Sequence, residues 1–278
     1  HDGSMWKKLK SIYKTIIHYG DNKYPDYAMP IKYGLQAKLI LDTALNANET
    51  FYLNYSSDLA YWVRYLRLSQ IVIEPLADKL NYLEVEFNIP FLWTCCHALC
   101  DYFTKNGLKE LLFMSRDGFM FQKMFEKLYP DIPSRYILIS RDCLRNNSKT
   151  YFSYLNSIYT KGTALVDLAA SCGSLKAALP QLENKEPRIW TAIYLPEPFK
   201  VELGPIKCDY LTTNIKSHIN NTYLEMLNYA DHWHIADVDK DNNPVFDLPG
   251  EYDMDKVKKY HALFFEALKS IPAAPRSD

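Results

Sequence analysis

Four short apolar runs in the middle of the chain constrain its fold most: ELLFMS (110–115), RYILIS (135–140), TALVDLA (163–169) and RIWTAIYL (188–195). Each has strand length and is rich in Leu, Ile, Val and Phe on both side-chain parities, so both faces of each strand are expected to be covered. Helical patterns alternate with them. After SRDG, the residues Phe121, Met124, Phe125, Leu128 and Tyr129 recur at i, i+3, i+4, i+7 and i+8, and Pro130 and Pro133 end the pattern. After ASCGS, Leu175, Ala178, Leu179 and Leu182 repeat the spacing, and Pro196 closes the fourth run. This alternation predicts an α/β domain: a parallel sheet flanked by helices, a Rossmann-type three-layer arrangement. Ligands of such sheets bind beyond the carboxyl ends of the strands. The loops SRDG (115–118), SRDCLR (140–145) and DLAASCGS (167–174) are therefore the places to look for a site.

The flanks are less regular. Residues 1–4 (HDGS) read as an expression-tag remnant. Residues 5–85 read as a helical extension packing on the core. MWKKLKSIYKTIIHYG and LAYWVRYLRLSQIVIEPLADKL are its helical stretches, the second interrupted near Glu74-Pro75. Residues 86–278 form the α/β domain. Within it, PFLWTCCHALCDYFTKNG predicts a helix ending at Gly107. Beyond residue 210, NNTYLEMLNYADHW begins as a helix, HIADVDKDNNPVFDLPG reads as two strands around a polar turn, and DMDKVKKYHALFFEALKS is a final helix with a frayed tail after it.

Composition removes several function classes. The 278 residues carry a formal net charge of −1, so there is no global basic field for nucleic acid. The six cysteines include no CxxC pair and no zinc spacing, which points to buried thiols in a reducing compartment. No apolar run reaches the roughly 18–20 residues of a membrane-spanning helix. The expectation is a cytoplasmic chain, at most peripheral at the inner membrane. The 22 Tyr and 13 Phe suit either sugar or partner surfaces, or simply reflect coding bias.

Three constellations carry chemistry. In DLAASCGSLKAAL a buried strand ends in Asp167, a small-residue loop follows, and Gly173-Ser174 opens a helix. Backbone N–H groups there, with hydroxyls of Ser171 and Ser174, suit a phosphate, and Asp167 beside them suits sugar hydroxyls or a metal. An ordinary turn with Ser174 as cap is the alternative. In SRDGF, Arg116 offers a two-pronged donor for phosphate, Ser115 a hydroxyl, and Gly118 a tight turn. Asp117 suits a divalent metal or the orientation of Arg116. In SRDCLR, Arg141 adds a second guanidinium, while Arg145 reads as solvated. His232 and His234, two apart around Trp233, form a weak candidate metal pair.

ALVDLAASCGSLKAAL resembles the ribose-phosphate signature of type I phosphoribosyltransferases, in which an acidic pair precedes a Thr-Gly-Gly-Thr turn. Asp167 matches the first acid, and Leu168 stands in place of the second. Cys172 stands where glycine or threonine is usual. The order LLFMSRDGFM, SRDCLR, LVDLAASCGS and LEMLNYADHWHIADVDKDNNPVF is similar to a divergent phosphoribosyltransferase-like group of bacterial capsule and O-antigen biosynthesis, often fused to or beside a haloacid-dehalogenase-type phosphatase. That resemblance spans about residues 85–250. It implies transfer of a 5-phosphoribosyl group from 5-phosphoribosyl 1-diphosphate to a glycan acceptor that can be lipid-linked, with a phosphatase partner and Mg²⁺ against the diphosphate. Ser171, Cys172, Gly173 and Ser174 would hold the 5-phosphate. Asp167 would meet the ribose hydroxyls. Ser115, Arg116, Asp117 and Gly118 would hold the diphosphate, and Asp117 the metal. Arg141 would assist departure of the diphosphate, and Glu225 or His232 would serve the acceptor hydroxyl. A nucleotide-sugar glycosyltransferase and a non-catalytic module of a polysaccharide assembly complex are the alternatives. A haloacid-dehalogenase phosphatase fits poorly, because Asp167-Leu168-Ala169 lacks its second aspartate.

Overall fold

The computed structural model describes residues 3–40, 44–73, 82–196, 202–213, 222–247 and 254–272. The Glu74-Pro75 interruption and the tail after residue 272 lie outside these segments. The chain divides into two compact units, residues 1–77 and 78–278.

The first unit is not purely helical. It contains α1 (Ser4–Ile12), β1 (Ile17–Gly20), a π-helical turn over Lys23–Ala28, α2 (Met29–Lys32), β2 (Gln36–Leu39), α3 (Ala47–Leu53) and α4 (Ser57–Ile73). β1 and β2 pair in parallel, Ile17 opposite Gln36. The four-residue strands alternate exposed and half-buried positions, too short and too polar to signal a strand in the sequence. The N-terminal helix is also shorter than its apolar spacing suggests: Trp6 is buried, but Ile12 and Tyr13 face solvent. Asn46 and Glu49 close a capping box at the start of α3, and Arg67 of α4 meets the buried Glu49 at 2.6 Å.

The second unit follows the predicted alternation. Helix α5 (Ile89–Asn106) ends at Gly107, whose φ of 56° no β-carbon opposes. Then come β3 (Glu110–Met114), α6 (Gly118–Leu128), β4 (Ser134–Ile137), α7 (Arg141–Asn146), α8 (Lys149–Ile158), β5 (Thr163–Ala170), α9 (Gly173–Ala178), β6 (Arg188–Tyr194), β7 (Lys207–Thr213), α10 (Thr222–Asn228), the antiparallel pair β8 (Ile235–Val238) and β9 (Pro244–Phe246), and α11 (Met254–Leu268). The five strands β3–β7 form one parallel sheet in the order β4-β3-β5-β6-β7. β7 carries no strong pattern and is a mostly exposed edge strand, KCDYLTT.

Side-chain alternation divides the core. On one face Leu112, Leu165 and Ile189 pack with Cys143, Leu144, Tyr151, Leu155 and Leu175 from α7, α8 and α9. On the other, Phe113 meets Phe121 and Phe125 of α6, and Phe121 meets Trp190 of β6. Full burial of such aromatic side chains contributes roughly 2–3 kcal/mol each. No helix among the described residues is long and apolar enough to cross a membrane.

Candidate functional site

The carboxyl ends of β3, β4 and β5 point their following loops to one side, and an open cavity of about 210 Å³ lies there. Its walls bring together Ser115, Asp117, Arg141, Asp167, the whole turn from Ser171 to Ser174, and Glu225. Five separate elements thus converge on one cavity, as the parallel topology requires.

Register explains why Asp167 is in it. Asp167 lies opposite Thr191 on β6, on the same side as Leu165 and Ile189 two residues earlier in each strand. Leu168 points through the sheet to the opposite face and is fully buried. A carboxylate there would be desolvated among apolar side chains, so the position departing from the ribose-phosphate signature is a core position in this chain.

The turn after β5 is built differently from the expectation. Its left-handed residue is Cys172, with φ of 62°, where a glycine would have been unstrained. Gly173 is the first residue of α9, not the αL position. α9 is only six residues long and its cap residue Cys172 makes no side-chain cap bond, so Ser174 is not the N-cap. Such a short helix has little macrodipole, so an anion at this turn would depend on backbone N–H groups and the hydroxyls of Ser171 and Ser174. Gly173 N–H lies 3.5 Å from Ser171 Oγ, a weak contact that an anion could replace.

In the SRDG loop, two residues are engaged elsewhere. The Ser115 hydroxyl donates to the Ile139 carbonyl and accepts from the Ile139 N–H at 2.9 Å, tying β3 to the end of β4. Its side chain is a staple at the cavity wall. The Arg116 guanidinium lies over the Tyr229 ring, 4.2 Å from its centroid, and does not line the cavity. The Arg116 carbonyl accepts from Ala230 N–H at 3.0 Å, which holds the end of α10 to this loop. Gly118 has no positive φ. A β-carbon there would meet the Phe113 carbonyl carbon at 3.3 Å, so glycine serves the close approach of α6 to β3.

Electrostatics mark the cavity. Asp117 is pushed well above the usual carboxylate range, by burial first and then by Asp167 and Glu225. Asp167 is raised to about 7 by burial and by Glu225, with backbone hydrogen bonds at Leu168 and Ala169 and the Arg141 charge opposing. Burial raises Glu225 too, and Arg141 and Arg116 hold it back. Three mutually repelling carboxylates in one partly dry cavity favour bound protons or a bound cation. Carboxylate oxygens would suit Mg²⁺ better than a softer metal, although the ligand atoms of these three are not gathered within 4.8 Å of one another.

The histidine pair does not form as expected. Both precede β8, and each goes its own way. His232 Nδ1 lies 2.8 Å from the Trp233 carbonyl, which can only accept, so Nδ1 carries the proton. Nε2 then accepts from the Tyr136 hydroxyl at 2.8 Å. Burial lowers the His232 pKa, and the Tyr136 hydroxyl occupies Nε2. His232 is outside the cavity lining. His234 lies 2.7 Å from Asp247 and 3.8 Å from Asp142. These three offer ligand atoms within 4.8 Å of one another, a cluster that sequence spacing does not show because three elements supply it.

Helix α10, which carries Glu225, is anchored from behind. Asn228 exchanges hydrogen bonds with Asn88 at 2.6 and 3.3 Å, and Asn88 donates to both carboxylate oxygens of Glu84 at 3.0 Å. All three are fully buried. No protein-family model matches this sequence, and no curated protein matches it.

Proposed function

We propose that the chain is a glycosyltransferase that takes 5-phosphoribosyl 1-diphosphate as donor and passes the phosphoribosyl group to a glycan acceptor. One observation carries this reading: the phosphate-type turn Ser171–Ser174, the Asp167 and Glu225 carboxylates, Asp117 and Arg141 surround one cavity at the carboxyl ends of parallel strands. A donor with a phosphate at one end and a diphosphate at the other needs two anion sites with hydroxyl acceptors between them. The turn supplies the first and Arg141 the second, and Asp167 lines the same cavity.

Asp167 accepts hydrogen bonds from the ribose hydroxyls, and Glu225 provides a second carboxylate where Leu168 does not. Asp117 would hold Mg²⁺, which would supply positive charge against the diphosphate. Arg141 meets the negative charge that grows as the diphosphate leaves. Glu225, partly protonation-prone and at the cavity wall, orients or deprotonates the acceptor hydroxyl.

Thermal unfolding with Mg²⁺ and 5-phosphoribosyl 1-diphosphate, compared with a panel of nucleotide sugars, tests it. At a hundredfold excess over Kd the donor stabilises by about 2.7 kcal/mol. Arg141→Ala and Asp167→Asn remove that response while far-ultraviolet circular dichroism stays unchanged. A response to nucleotide sugars only would sink the proposal, and silence toward both would favour a non-catalytic assembly module.

A further inference from the structure

Two thiols meet at the phosphate-type turn. Cys172 Sγ and Cys208 Sγ are 3.7 Å apart, in van der Waals contact and within reach of a disulfide after a small shift. Cys172 lines the cavity and is buried, whereas Cys208 on edge strand β7 is partly exposed. Register makes the meeting possible: Cys208 pairs with Ile189 on β6, so its side chain rises on the face that Ile189 presents to the cavity. The remaining thiols, Cys95, Cys96, Cys100 and Cys143, lie on α5 and α7.

We propose that Cys172 and Cys208 form a peroxide-sensitive dithiol whose oxidation to a disulfide displaces the Ser171–Ser174 turn. The effect on ligand rests on the donor site proposed above; the modification itself does not. The Cys208 sulfur attacks one peroxide oxygen, the O–O bond breaks, and Cys208 sulfenic acid and water result. The Cys172 sulfur then attacks the sulfenic sulfur, its proton leaves with the hydroxyl as a second water, and the S–S bond forms. Two electrons pass from the sulfurs to the peroxide. The order follows exposure, and the hydrogen bond from Cys172 also lowers the Cys208 pKa while raising that of Cys172.

Bond formation shortens the sulfur separation from 3.7 Å to about 2.05 Å, a closure of about 1.7 Å. Cys208 is held in a strand ladder along β6, whereas Cys172 is a single left-handed residue in a loop, so the loop moves. An ångström-scale displacement of anion-holding N–H groups weakens binding at least tenfold.

The test treats the reduced chain with hydrogen peroxide and maps its peptides without reductant. The expected result is a Cys172–Cys208 cross-linked peptide, reversed by dithiothreitol, with changed amide exchange over residues 171–176. Cys208→Ser forms no cross-link, shows no exchange change, and keeps its donor response under peroxide. Absence of the cross-link, or a cross-link with unchanged exchange, overturns the proposal. Donor titrations run on reduced and oxidised samples separate the two ideas. A reduced chain that ignores the donor removes the transferase reading while the cross-link and exchange data still decide the dithiol. A reduced chain that binds, and an oxidised one that binds equally well, removes the regulatory effect.

Discussion

Replacing Asp167 with asparagine removes a carboxylate held at about 7 in the fold, against 3.8 for a free aspartate. Between about pH 4 and 7 the folded chain keeps a proton that the unfolded chain has released. The unfolded state therefore binds fewer protons, and stability falls as pH rises through this window. The shift of roughly three units corresponds to about 4 kcal/mol for a site titrating alone. Asp117 and Glu225 titrate with Asp167, so one substitution relieves only part of it, about 2 kcal/mol. Urea unfolding at pH 5, 6, 7 and 8 without divalent cation is the assay. The wild-type chain is expected to lose stability toward pH 8. Asp167→Asn should flatten that loss and lie about 2 kcal/mol above the wild type at the alkaline end. Excess Mg²⁺ should restore wild-type stability at pH 8, because a cation replaces the proton that the carboxylates otherwise keep. Parallel wild-type and variant curves across the four pH values would refute the placement of Asp167 among coupled, buried acids.

Asn228→Ala leaves the buried Asn88 without one of its partners and should cost about 1–3 kcal/mol in urea unfolding, with weakened donor response because α10 carries Glu225. Tyr136→Phe removes the hydroxyl that donates to His232 Nε2; nuclear magnetic resonance should show the His232 pKa rising, with a stability loss of about 1 kcal/mol. Phe121→Ala empties a fully buried position between Phe113 and Trp190 and should cost about 3–5 kcal/mol by denaturant melts, with no change in which ligand the chain prefers.

The alternation of both-faces-apolar strands with amphipathic helices is a local property, and it determined the parallel sheet without help from tertiary structure. β3, β5 and β6, with helices α5, α6 and α11, fall where Leu, Val, Phe and Met repeat at strand or helix period. Candidate site loops were legible for the same reason, because parallel strands direct their following loops to one edge. β1, β2 and β7 were not legible: they are short or mostly exposed and are held by pairing with neighbours, a non-local interaction. Only the tertiary structure assigned roles within the loops. Whether Ser115 offers its hydroxyl outward or ties itself to Ile139 depends on where β4 ends. Whether Arg116 reaches the cavity depends on Tyr229, more than a hundred residues away in sequence. His232 and His234, neighbours in the chain, are parted by Tyr136 on one side and by Asp142 and Asp247 on the other. Leu168 looked like a lost acid in the chain, and strand register makes it a core residue; Glu225, from a helix far along the sequence, brings the second carboxylate to Asp167. Residue types and periods are written in the chain itself, but the partner that claims each polar group is set by contacts between distant segments.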